Sequence, residues 1–513
     1  MKKFIYAIAV LLLSMTFNSC GEDWLMVQSH DKIYIDDYYT TPERIKEALV
    51  AAYDPLQWYD YGLGTYAPVP MIYEVMADDF YPGGSNNKDM EIWHLMFNYE
   101  SISTNTPSTV WTGSYSGINR SNCVAKYMPD VVGIDDETKE LYLAEAAVLR
   151  SWYYTQIWKL WGNIPYYEEN LDFPYICPQS TADEVYEKLV ASLETVIDSN
   201  VLPMRRTSEI GRMTQAAAMM LYADIVMYQK SDKEHMQKAL DYMEKIIDSP
   251  EYSLVSSEDL AQMWEPAGEW SSESIFEINY TDVGAARSWS GPLVSGGTAL
   301  PQILGARNLV GSSKYMNTDC YGFFPMTESS AEAFEEGDIR KAVTIYRPDS
   351  EGASYEARYQ DTGNFIAKYC PRADGNALRI GGDPQLNFNN NIRLYRYAET
   401  LLNAAELIAV HGCSGKGSAD NYLNEVRTRA GLGNVSANLE TILHERHVEL
   451  MGEGKRYWDL VRLGKASSVL VPSNDEGGYR TNSWSESKKY LPIPQSEMDA
   501  ASSTQYPLTQ NNY

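Results

Sequence analysis

The run ILHERHVELMGEGKRYWDLVRLG, residues 442–464, decides how the rest of the chain is read. Glu445, Glu449 and Glu453 recur four apart, which puts side chains on one helical face. Arg446, Arg456 and Arg462 can form charge-assisted pairs with them or with Asp459. Gly454 permits a bend or a helix end before Tyr457 and Trp458, an aromatic pair expected to pack inward. Arg–carboxylate arrays of this kind more often fix geometry than do chemistry, so the run reads as a structural clamp between helices. His444 and His447 do not make a zincin helix, which needs histidines four apart, because position 448 is Val.

Moving outward, several segments carry helical signals with small residues on the packed face. Residues 136–161 hold good helix formers throughout and stop at Gly162, with Pro165 beyond. In 183–197, Val185, Leu189, Leu193 and Val196 keep to one face. Residues 214–228 include Ala216, Ala217 and Ala218, which let a second helix approach closely; 234–247, 392–411, 418–430 and 438–463 continue the pattern. The fold class expected is mainly α: a tetratricopeptide-like scaffold of helix pairs of irregular period, with a loop-rich region and minor strands. That loop-rich region is residues 252–391, where Gly, Ser and Tyr surround short alternating runs such as IFEINY (275–280) and FIAKYC (365–370). A second irregular stretch covers 55–119 and includes QWYDYGLGTY and DDFYPGGSNNKDMEIW. Ordered loops of this length usually carry function.

The beginning of the chain reads as a targeting segment. Lys2 and Lys3 precede an apolar run, Phe4 to Leu13, that is well short of the ~20 residues a membrane-spanning helix requires. Ser19 stands directly before Cys20, so residues 1–19 are expected to be a lipoprotein signal peptide and Cys20 the lipidated terminus, although Phe17 occupies a position where Leu is usual. Glu22 and Asp23 follow, as in lipoproteins sent to the outer leaflet. Each buried methylene adds about 0.8 kcal/mol, so two or three acyl chains hold a soluble domain stably on a membrane.

Composition excludes several function classes. A formal charge of −28 repels phosphate backbones, and no basic stripe compensates, so nucleic acid is not an expected partner. The five cysteines after Cys20 are scattered with no C-x-x-C pair, indicating neither a disulfide framework nor a zinc site. Neither a complete glycine-rich phosphate loop nor a G-x-S-x-G elbow is present. Close carboxylate pairs arise by chance among 70 acidic residues and do not argue for glycosidase chemistry. The 39 Tyr against 11 Phe favour rings with a polar tip, which suit half-wet surfaces.

The run ERHVELMGEGKRYWDLVRLG resembles the C-terminal signature of SusD/RagB-family outer-membrane lipoproteins. Further segments match in that family's order: EAAVLRSWYYTQIWKLWGNIPY, TADEVYEKLVASLETVI, GRMTQAAAMMLYADIVMY, GDIRKAV, IRLYRYAETLLNAAEL, LNEVRTRAGL and YLPIPQSEM. The resemblance implies one SusD-like domain over residues 20–513, without catalysis or cofactor, that binds oligosaccharides at the cell surface. It also implies a partner, a SusC-like TonB-dependent transporter over which the protein closes. Capture of peptides by the same architecture is an alternative, and a surface glycosidase a third.

Sugar rings stack their C–H faces on Trp or Tyr while their hydroxyls hydrogen-bond polar side chains. Candidate ligand residues are therefore the aromatics of the two irregular regions, Trp58, Tyr81, Trp93 and Trp289, flanked by Asp79, Asn86, Asn87 and Arg287. Trp152, Trp158 and Trp458 lie inside helical patterns and are expected in the core. Trp289 stands in AARSWSGPLVSGG, where no hydrophobic period demands an indole.

Overall fold

A computed structural model describes residues 35–61, 65–229, 232–281, 287–291, 293, 296–373 and 382–513. Cys20, Glu22 and Asp23 lie outside the described residues. The helices of seven residues or more are α1 (Pro42–Tyr53), α2 (Glu91–Phe97), α3 (Ser108–Tyr127), α4 (Asp136–Trp161), α5 (Ala182–Ser199), α6 (Gln215–Tyr228), α7 (Lys233–Ile247), α8 (Tyr397–Ala409), α9 (Ala419–Arg429), α10 (Leu439–Leu450), α11 (Arg456–Arg462) and α12 (Gln495–Ala501). The caps explain several boundaries. The Asp135 side chain accepts from Thr138 N at the start of α4, and Thr181 and Glu184 form a reciprocal capping box on α5. Gly162, at φ 68°, closes α4.

Helices pack as a continuous series. α3 lies between α1 and α4, α5 between α4 and α6, and α7 between α6 and α8; α8 then holds both α9 and α10. The α7–α8 contact matters most, because nearly 150 residues of largely irregular chain separate the two helices and yet the stack continues across them. Ala216, Ala217 and Ala218 are all buried and form the close-approach face their size suggested.

Three expectations are corrected. Residues 392–411 are not one helix: Ile392–Arg396 is a strand (β2), antiparallel to Ser274–Ile278 (β1), and the helix begins at Tyr397. The ladder to β1 outcompetes the helical extension, since β2 is buried at four of its five positions. Residues 438–463 divide into α10 and α11, with Gly452 (φ 80°) and Gly454 (φ 77°) in the turn between them. At Gly454 a Cβ would stand 2.5 Å from Pro70 Cβ, so close approach as well as φ requires glycine there. The irregular stretch 55–119 ends early, at α3. That helix is rich in Ser and Gly and poor in helix signal, but Gly117 lets it lie against Tyr153, whose ring a Cβ would meet at 2.3 Å. Tertiary packing overrides propensity here.

The 442–464 run is a clamp, with different partners from those its own spacing suggested. Arg446 and Arg462 both reach Asp459, at 2.8 and 2.7 Å. The glutamates instead take cations from distant elements. Arg396 at the end of β2 pairs with Glu449 (2.9 Å), Glu453 (2.7 Å) and Glu273 (2.5 Å), and Arg340 with Glu445 and Glu449. Arg429 of α9 joins Glu273 to Glu449, and Lys368 holds Glu453 at 2.6 Å. Burial alone would raise the Glu449 pKa, but Arg429, Arg396 and Arg340 overcome it and hold the carboxyl well below the ordinary range. Tyr457 and Trp458 are buried as expected.

One hydrophobic core runs from Ile45 to Ile493, and a small satellite, including Leu309, Tyr315, Tyr346 and Phe365, stiffens the 252–391 region from within.

Candidate functional site

Arg287 is nearly fully buried, so it cannot meet a ligand directly; it holds other residues in position. Its guanidinium donates to Asp60 Oδ2 at 2.8 Å, to the Gly297 carbonyl at 2.9 Å and to the Tyr61 carbonyl at 2.8 Å. Asp60 also accepts from Thr298 Oγ1 and from the Ala299 and Tyr61 amides. Burial disfavours the Arg287 charge, yet the Asp60 carboxylate more than offsets this and holds its pKa above the ordinary value. Backbone bonds complete the anchor: Arg287 N donates to Asn387 Oδ1 at 3.0 Å, and Asn387 Nδ2 returns a bond to the Arg287 carbonyl at 2.8 Å. These bonds pin together three loops that lie far apart in the sequence, around residues 60, 287 and 387.

That anchor carries an aromatic cluster on the surface. Two residues beyond Arg287, Trp289 sits in a turn closed by Gly291 N donating to the Ser288 carbonyl, and its own amide donates to Asp383 Oδ2 at 2.9 Å. Its indole is 39% exposed. Tyr61 lies 5.0 Å away, ring centroid to centroid, at 74°. Tyr66 lies 4.7 Å from Tyr61 and 6.4 Å from Trp289, the latter at 84°. Tyr321 extends the row at 6.1 Å from Tyr66. Burial, and then a hydrogen bond to the Tyr321 hydroxyl, raise the Tyr66 pKa, so both phenols stay neutral donors; Tyr321 in turn donates to Gln385 Oε1 at 3.3 Å. The arrangement offers half-exposed ring faces with Asp383 and Gln385 beside them, which suits a ligand that has apolar faces and hydroxyl edges.

The other candidates lie elsewhere. Trp93 is fully buried, packed on Phe323 (4.9 Å) and Phe324 (4.6 Å), and has no face to offer a sugar. The reason is helix α2, which turns this residue inward where the sequence suggested a loop. Its contact with Phe323, itself 6.4 Å from Tyr321, makes Trp93 an internal buttress of the cluster. Tyr81 is buried and donates to Asp475 Oδ1 at 2.6 Å. Asp79 is fully buried between Ser330 Oγ (2.5 Å) and His447 Nε2 (2.6 Å), which also gives His447 a structural partner. Trp58 is buried under the Arg120 guanidinium, 4.7 Å from its ring. Asn86 and Asn87 are exposed on a turn next to α2. Of the eight, Trp289 alone combines an exposed ring with neighbouring rings. The sequence pattern does not single out Tyr61, Tyr66 and Tyr321; the first two flank the glycines of QWYDYGLGTY, and the tyrosine excess is their one general signal.

Comparison with known proteins identifies the family. A family model described as the SusD family matches residues 340–513, and one described as starch-binding associating with outer membrane matches residues 23–227. The surface glycan-binding protein A of Bacteroides thetaiotaomicron, solved in complex with laminarihexaose, is 47% identical, with a TM-score of 0.85 over 92% of this chain and 100% of that one. The chain belongs to the SusD family. Surface glycan-binding protein A of Bacteroides uniformis is 44% identical, with a TM-score of 0.83 over 92% of this chain and all of its own. SusD-like protein P38 of Formosa agariphila is 26% identical over 92% of this chain and 94% of its own length. Among the described residues, no helix is long and apolar enough to cross a membrane.

Proposed function

We propose that this SusD-family chain captures glycans at the cell surface on the Tyr61–Tyr66–Trp289–Tyr321 face and catalyses nothing itself. The observation that carries the reading is the exposed aromatic cluster, on a chain 47% identical to a glycan-binding protein solved with laminarihexaose. Trp289 stands at 74° to Tyr61 and 84° to Tyr66. Rings at such angles line a corner, which a curved chain can follow with successive units and a flat ribbon cannot. A β-1,3-glucan curls in this way; a β-1,4-glucan does not. Calorimetry with laminarihexaose and cellohexaose tests the proposal. Micromolar to millimolar binding of the first, about −4 to −8 kcal/mol, with much weaker binding of the second is expected. Equal binding, or none, would overturn it.

Residues 20–513 act in this proposal as one unit, anchored to the outer membrane through lipid on Cys20, which hands its ligand to a TonB-dependent transporter. Cys20→Ala should release the protein from the membrane fraction. A pull-down from solubilised outer membrane should recover a much larger barrel, held across an interface above roughly 1,000 Å².

A further inference from the structure

We propose that the cleft between the Arg205–Thr214 loop and the Trp270 turn is a second ligand site, one that takes a carboxylate-bearing sugar unit. The cleft encloses about 360 Å³, and none of its lining residues belongs to the Trp289 face. Three arginines line it, Arg205, Arg206 and Arg212, and among the described residues no Asp or Glu does. Glu145 and Glu209 pair with Arg206 and Arg212 from outside the lining. Arg205 is different. Its guanidinium donates to the carbonyls of Glu251 (2.6 Å), Trp270 (2.8 Å) and Ser271 (2.7 Å), and among the described residues no carboxylate pairs with it. Carbonyls orient a guanidinium but leave its charge uncancelled. The result is a concavity with one uncancelled positive charge, that of Arg205, on a chain of formal charge −28, and such a charge attracts anions.

A second, independent feature belongs to the same lining. Ser274 is 4% exposed and lines the cleft, and among the described residues its hydroxyl has no hydrogen-bond partner. A buried hydroxyl left unpaired is unfavourable, and a ligand hydroxyl would satisfy it. The half-buried Trp270, held at φ 53°, provides an apolar wall, and Tyr252 lies under Arg205 at 5.1 Å. The loop closes on this wall because residue 211 is glycine: at φ +100°, a Cβ would stand 2.0 Å from Asn279 Nδ2. The Arg205 guanidinium for a carboxylate, an orphan hydroxyl for a ring hydroxyl and an indole for a C–H face together describe a uronic acid better than a neutral sugar or a simple anion.

The experiment is an equilibrium titration of the whole mature protein with glucuronate, glucose and acetate. Glucuronate should bind about tenfold or more tightly than either of the others, and more weakly as salt rises. Thr207→Glu places an opposing charge at the exposed rim, where folding is indifferent to it, and should weaken glucuronate by about tenfold. Ser274→Ala should weaken it by a smaller factor, and Trp289→Ala should leave it unchanged, which separates this site from the aromatic face. The proposal is overturned if glucuronate binds no better than glucose or acetate, if Thr207→Glu leaves binding intact, or if Trp289→Ala abolishes it.

Discussion

The clamp around α10 and the platform around Trp289 both rest on buried guanidinium–carboxylate pairs, used to opposite ends. In the clamp, Arg396, Arg429 and Arg340 converge on Glu273, Glu445, Glu449 and Glu453, and every charge is spent inside the molecule. In the platform, one pair, Arg287–Asp60, fixes the backbone beneath the rings, and the residues it carries turn outward. A region that ends its interactions internally holds a shape. A region held rigidly from below, with its side chains left half-wet, can bind.

Removing a charge from the clamp should show the largest effect. Arg396→Met leaves Glu449 and Glu453 buried with fewer partners, and is expected to cost about 3–5 kcal/mol in denaturant unfolding. A loss below 1 kcal/mol would mean the clamp is not what holds α8, α10 and β2 together. Trp93→Ala should cost a comparable amount, about 3–5 kcal/mol, because it empties a core site behind the platform.

Gly117→Ala probes the scaffold by overpacking. The methyl group must displace the Tyr153 ring, at about 1–3 kcal/mol. Trp289→Ala is the counterpart on the platform: about 1–3 kcal/mol of glycan affinity lost, with the melting temperature almost unchanged. If melting falls instead, the contrast between the two regions fails at its most exposed residue.

A further effect concerns pH. Burial pushes the Glu269 carboxyl up to about 7, so the folded chain keeps a proton that the unfolded chain gives up above about 4.3. Stability should therefore fall as pH rises from there through about 7 and level off above it. Glu269→Gln should flatten this part of the melting-temperature profile between pH 5 and 8; an unchanged slope would assign it to other groups.

Helices with a strong period and a recognisable cap were legible in the sequence: α4 is 136–161 as read, and α5, α6 and α7 differ by two residues or fewer at either end. The 442–464 run also declared its structural role, because charges at helical spacing next to Tyr457 and Trp458 leave few alternatives to an internal clamp. Local pattern determined that much. It could not determine that Ile392–Arg396 would find Ser274–Ile278, that α3 would form despite its glycines, or that Arg396 rather than Arg446 would hold Glu449. Nor could it distinguish Trp93 from Trp289, two indoles in similar-looking surroundings, one sealed between phenylalanines and one at the surface. Burial and ion pairing are properties of residues distant in sequence, and only the tertiary structure decides which of them meet.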